Sequence, residues 1–515
     1  MFNLIQSGNV INIKSSGVDF NISLATGTSM PIANIEAEGY GWEVTYSGTY
    51  IANVKLISLV GGHLWGMYNP YKQIYNPYIA VNHQTLGNVT ALTPTKIQDG
   101  GPSGWTEPRS QMTTNYVFLS DYTTNNLTRF AVDDLSTTVY NPGDNYLYLF
   151  EVYNENTVYI LEEYGDGENL YFQICKLTYM IGVPNRQLIY QFSEYYSYDG
   201  VEWEFSEFLC FEHVKYETND SIVCMIQYDG IRDSKTVSLI HIVIYDINTS
   251  SIKEIKTYPS SDGHPYLRAP YYDTAPVFYK NYLIWSYSID VNDTGNCAYI
   301  GTIIIDISNN TATIVDTIKQ DVESEIINYF YFGTSAVDYI NNIYYFEYVQ
   351  SELTTDIFKL GKIELESLPF TSQFVKDIAT DDWNYYFTAL LTNDNVYMLP
   401  INYVGNQNVY LIPGISSVTT VDINDLLYDN FCCCVIDVPS KMVWNLTNTN
   451  LQGKSLVDGT DRDISISWGG SGTIPFEYTK GRKVYLQIHD NMALIGISSG
   501  SYPNYQFDWY LLKET

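Results

Sequence analysis

Two stretches set carboxylates beside a tryptophan, the residue types best suited to breaking a sugar bond. They are Asp381-Asp382-Trp383 and Trp105-Thr106-Glu107. An indole can stack on a sugar ring, and glycoside cleavage needs one carboxyl as acid and a second as nucleophile or base. Both stretches lie between strand-like runs, where solvated turn carboxylates beside a packing tryptophan would look the same. Two more loops gather hard oxygen ligands: residues 290–296 (Asp-Val-Asn-Asp-Thr-Gly-Asn) and 458–463 (Asp-Gly-Thr-Asp-Arg-Asp). Calcium takes such oxygens, but tight turns use the same residues for local bonds and positive φ. Plain turns are expected, with no metal.

Other catalytic devices are missing. The sequence has no His-Glu-x-x-His, no phosphate-cradling glycine loop before a helix and no Gly-x-Ser-x-Gly. The histidines at 63, 83, 213, 241, 264 and 489 are scattered, and His213, His241 and His489 fall in predicted strands. Cys175, Cys224 and Cys297 also fall in strands, where a thiol acts as a small apolar residue. In Cys432-Cys433-Cys434 the first and third would share a strand face. No Cys-x-x-Cys exists, so packing is expected rather than metal or redox work. No catalytic residue and no cofactor is assigned.

The word Tyr-Asn-Pro-Tyr occurs twice, at Tyr68 to Tyr71 and again at Tyr75 to Tyr78. Proline stiffens the backbone and biases the preceding Asn to extended or turn geometry. Tyr68, Tyr71, Tyr75 and Tyr78 are therefore the first candidates for a stacking surface, with Trp105 and Trp383 next. The alternative is that the rings pack within an irregular first blade.

Short apolar runs bounded by Asn, Asp, Gly and Pro carry these residues, and helical periodicity is nearly absent. Asp220, Asn281 and Asn342 open equivalent strands at intervals of 61 residues. Asp246, Asp306 and Glu364 close later ones at intervals of 60 and 58. Repeats of strands and polar turns resemble β-propellers. The expected fold is all-β: a single propeller over residues 1–515, of four-stranded antiparallel blades, about seven of them. The best-defined blades are 207–258, 276–318 and 338–378, and strands near 10–14 and 507–512 close the ring. Asp246, Asp306 and Glu364 should then be equivalent, whereas tandem sandwiches would not make them so. Gly61-Gly62 resembles the Gly-Gly of kelch-type blades, although other such pairs do not follow the period.

Of 515 residues, 58 are acidic and 26 basic, a net charge of −32. That repels nucleic acid and anionic membranes. Only 16% of residues are charged while 49 are Tyr, a composition that resembles proteins of thermoacidophilic archaea and their viruses. Eight Asn-x-Ser/Thr sites are present, at Asn21, Asn88, Asn126, Asn219, Asn248, Asn292, Asn309 and Asn445. No export leader or membrane span is expected. From these features the expected function is a non-enzymatic structural or recognition protein on a virion exterior. It would bind other virion subunits or a host-surface glycan or protein, with homo-oligomers as an option. The alternatives are an interaction scaffold or a carbohydrate-active propeller enzyme. With few strong ion pairs to lose, the fold should survive well below pH 4. Replacing Tyr71 and Tyr75 by Ala should impair binding and leave the fold intact.

Overall fold

Alternating and continuous apolar runs of this kind can be buried only if each sheet is covered on both faces, and the strands arrange themselves accordingly. The computed structural model describes strand backbone between Asn3 and Glu514. Side chains are described for most of 110–258 and for parts of 86–98, 276–315, 335–375, 442–468 and 486–514. Every element among the described residues is a strand or turn, and the sheets are largely four-stranded and antiparallel, apart from a short parallel pairing of Asp461–Ile466 with Ala91–Gln98.

The first blade runs from Ser110–Met112 to Thr137–Tyr140, and the second from Tyr146–Asn154 to Asn185–Ser193. In the third, Val201–Tyr216, Asn219–Arg232, Lys235–Asp246 and Ser251–Thr257 follow one another, with Tyr195–Tyr198 as an extra strand. The fourth spans Val277–Tyr279 to Thr311–Lys319 and also gains a short strand, Tyr266–Leu267. Tyr329–Asp338 opens the fifth, which ends at Ser372–Asp381; smaller four-stranded units begin at Leu390–Asn393 and Cys434–Asp437. The estimate of about seven blades assumed a 60-residue period throughout, and these outer units are shorter than that.

Asp246, Asp306 and Glu364 do occupy equivalent places, each paired near the start of the preceding strand, with Ser221, Tyr282 and Ile343. The residue after each, Ile247, Ile307 or Leu365, donates its N–H to the carbonyl of Asp220, Asn281 or Asn342 at 2.8–2.9 Å. Val132 to Asn115 and Tyr179 to Asn156 repeat the bond in the first two blades. The carboxylates work locally: Asp246 accepts from the N–H of Thr249, and Asp306 from those of Ser308 and Asn309. They are turn-makers.

Closure differs from expectation. The strand Asn504–Glu514 pairs with Ala91–Gln98, from Trp509↔Gln98 to Glu514↔Leu92. Residues 10–14 lie in Val10–Ser15, whose two edges are already taken by Asn3–Ser7 and Val18–Ser23. The sheet that Ala91–Gln98 joins also holds Met492–Ser501 and Val484–His489.

The core lies between blades. One cluster joins Met225, Ile242 and Ile244 of the third blade to Phe278, Trp285 and Ile303 of the fourth. Another joins Leu161 and Ile174 of the second to Ile222, Cys224 and Tyr228 of the third. The inner edges are stitched by side chains: Gln487 Nε2 donates to Ser110 O at 2.9 Å, and Gln111 accepts from Val152 N–H at 2.7 Å.

Inside several blades a large ring lies over a glycine on the facing strand: Phe346 over Gly361, Trp444 over Gly453 and Trp509 over Gly496. A Cβ on Gly453 would come within 2.6 Å of the Trp444 ring. Gly361→Ala, crowding Phe346 in the same way, should cost about 1–3 kcal/mol in urea denaturation. The cost should shrink in a Phe346→Leu background. An equal cost in both backgrounds would show that the ring is not what fills the space.

Candidate functional site

The third blade has the longest strands, and the end where they outgrow their neighbours carries a carboxylate pair. Up to Phe205 the pairing runs Glu204↔Asp229 and Phe205↔Tyr228; after it, Glu207↔Gln227. The extra residue, Ser206, is a β-bulge, which leaves one residue unpaired and re-aims those after it. Simple alternation would put Glu204 and Glu207, three apart, on opposite faces. The bulge brings Glu207 onto the face of Glu204, Gln227 and Asp229.

Asp229 is held from two directions. Ser238, fully buried, donates its hydroxyl to Asp229 Oδ1 at 2.6 Å, and Gln227 Nε2 donates to the same oxygen at 3.0 Å. Gln227 also reaches Ser238 Oγ at 3.3 Å. Glu207 is half-buried opposite them. Loss of water, and next the negative charge of Asp229, push its carboxyl up to about 7. One carboxyl thus keeps its proton near neutrality beside a second that is fixed by hydrogen bonds. That is the arrangement of an acid and its partner carboxylate. The strand Tyr266–Leu267 of the fourth blade packs against Lys235–Asp246, the strand that carries Ser238.

On the other face of the same inner strand, Phe205 and Phe208 meet Phe172, with ring centroids 4.2 and 5.0 Å away, and Tyr148 lies 4.9 Å from Phe208. Tyr148 donates to Glu163 at 2.6 Å. These rings are half-buried or buried packing.

The residues singled out from sequence do not enter this site. Tyr68, Tyr71, Tyr78, Trp105 and Trp383 lie outside the described residues, as do residues 291–296. Tyr75 is described only as backbone, paired with Leu64. In the second oxygen-rich loop Asp461 pairs with Lys454 at 3.4 Å, and Gly459 takes a φ of 71°, which is turn chemistry. Among the described residues no cluster of His, Cys, Asp and Glu could hold a metal. Cys175 and Cys224 are buried in strands, as are His213, His241 and His489.

Strong ion pairs, expected to be few, are present. Glu162, with no exposed surface, accepts from Arg186 Nε at 2.6 Å and from the Tyr140 hydroxyl at 2.8 Å. Burial opposes ionisation of Asp220, but the His213 ring at 2.7 Å and Lys215 at 3.4 Å outweigh it and hold its carboxyl below the usual range. Stability from that group is lost as pH falls through its lowered value. The premise behind persistence far below pH 4 is therefore corrected.

No family model and no characterised protein sequence matches the chain. Among solved structures it is similar to AztD of Citrobacter koseri, at 10% identity over 76% of this chain and 96% of that one, with a TM-score of 0.33. It is similar to a PL25 ulvan lyase at 11%, 78%, 96% and 0.38. A GH93 α-L-arabinofuranosidase of Fusarium graminearum gives 11%, 70%, 91% and 0.30. Here the expectation of a non-enzymatic recognition protein on a virion exterior is corrected. The third blade holds an acid–carboxylate pair, Glu207 and Asp229, where no catalytic residue was assigned. Among the described residues no helix is long and apolar enough to cross a membrane.

Glu207 missed detection because nothing in Glu202-x-Glu204-x-x-Glu207 announces a bulge; the odd step between the last two acids is the one clue. In the folded chain its carboxyl binds a proton more tightly than the ordinary 4.5 of glutamate. Stability from that proton is fully present below about pH 4.5 and lost as pH rises through about 7. Glu207→Gln should therefore match the native protein at pH 4 and exceed it at pH 8.5, by on the order of 1–3 kcal/mol. Thermal melts at both pH values test this; a gain equal at the two would exclude a buried, proton-holding Glu207.

Proposed function

We propose that this protein is a carbohydrate-active propeller enzyme that cleaves glycosidic bonds, with Glu207 as general acid. The observation that carries the reading is a carboxyl held protonated near neutrality beside Asp229, on one face at the open end of the third blade. Glu207 delivers its proton to the leaving sugar oxygen, and water takes that oxygen's place on the anomeric carbon, giving up a proton that restores the acid. Asp229, fixed by Ser238 and Gln227, supplies the negative charge that favours the protonated acid and stabilises positive charge growing on the sugar ring. The half-buried setting lowers the dielectric and strengthens both effects. The fold's role is positional, because chemistry on such a scaffold resides in the site and not in the repeat.

Screening native protein against a polysaccharide panel by reducing-end release should reveal cleavage that Glu207→Gln lowers by about 10²–10⁴-fold. The native rate should fall as pH rises through about 7, where the acid loses its proton, and Asp229→Asn should move that limb to lower pH. Cleavage indifferent to Glu207→Gln would refute the assignment.

A further inference from the structure

The extra strand Tyr195–Tyr198 adds an exposed aromatic to the same face as the acid. Tyr195 pairs with Glu204, and Glu204 with Asp229, so the register puts all three on the side that Glu207 and Gln227 share. The Tyr195 ring is 57% exposed, yet its hydroxyl is fixed, donating to Glu204 Oε1 at 2.9 Å. The hairpin behind it is secured by Phe205 N–H to Glu194 O at 2.8 Å. A large ring tied at its tip and open on its face is poor packing and a good stacking surface. Strand alternation also adds Glu202, paired with Ser197, to this face. Arg232 falls on the opposite face, where it binds Asp199 at 2.6 Å and stacks on Tyr258.

We infer that Tyr195 is a specificity-determining residue that stacks a sugar ring next to Glu207, and that the glycan it takes carries no acidic group. Glu202, Glu204, Glu207 and Asp229 line one face, in a chain of net charge −32. A uronate or sulfate would approach against that field, whereas a neutral ring loses nothing to it and gains the contact with Tyr195. This rests on the reading of Glu207 as a glycosidic acid and adds its substrate class.

The test uses full-length protein on an array of neutral, acidic and amine-bearing glycans at about 0.15 M salt, followed by kinetics on the best neutral ligand. Native protein and Glu207→Gln should both bind neutral glycans. Tyr195→Ala should weaken binding and raise KM by about tenfold or more, with kcat within about twofold. Tyr195→Phe, which keeps the ring and gives up only the tether to Glu204, should restore most of the affinity. Retention of acidic glycans alone, or of none, would overturn the substrate class. An unchanged KM for Tyr195→Ala would overturn the role of the ring. Binding that depends on Tyr195 without any cleavage would refute the acid assignment of Glu207 and leave the stacking surface standing, so the two failures are distinguishable.

Discussion

A sheet that is apolar on both faces has to be covered on both, and the rest of this structure follows from that. The strand Asn219–Arg232 shows it: Ile222, Cys224 and Ile226 pack toward the second blade, Val223 and Met225 toward the fourth. With two faces to bury, each blade needs two neighbours, and closing the row supplies them to the end blades. Closure is made by backbone pairing between Asn504–Glu514 and Ala91–Gln98. The same burial demands that a buried charge be compensated. Glu162 sits between Arg186 and the Tyr140 hydroxyl of the preceding blade, because an uncompensated charge there would be costly.

Against this regular background the third blade is the departure. Its strands reach 16, 14 and 12 residues; at the long end one face carries the buried Trp203, Tyr228 and Val237, and the other carries the polar residues. Polar residues can then face inward at little cost to the fold. Ser238 and Gln227 are spent on orienting Asp229, and a bulge is tolerated at Ser206 where a regular ladder would have served stability equally well. Local irregularity at the end of an otherwise repetitive element is where a scaffold can carry chemistry.

Strand character, the repeat and its turn residues were legible in the sequence. Period-two patterning and side-chain-capped turns are local, and Asp220, Asn281 and Asn342, with Asp246 and Asp306, act within a few residues of themselves. That locality is why the equivalence of three blades could be foreseen. Blade length outside the central block was not legible, since the spacing between turns shortens there. The partner of the last strand was not legible either: residues 10–14 have as good a strand pattern as 91–98, and only pairing decides between them.

By itself, then, the amino-acid sequence determined the all-β class, the antiparallel blades, the acidic charge and the local turns, because each depends on neighbours along the chain. The tertiary structure alone decided which distant strand closes the ring. It also decided on which face Glu207 lies and that Asp229, Gln227 and Ser238 meet it there. These depend on cross-strand register, where one extra residue at Ser206 inverts the facing of Glu207 and Phe208 before a second bulge at Leu209 restores it. No pattern within one strand encodes that inversion, because it exists only in relation to the strand alongside.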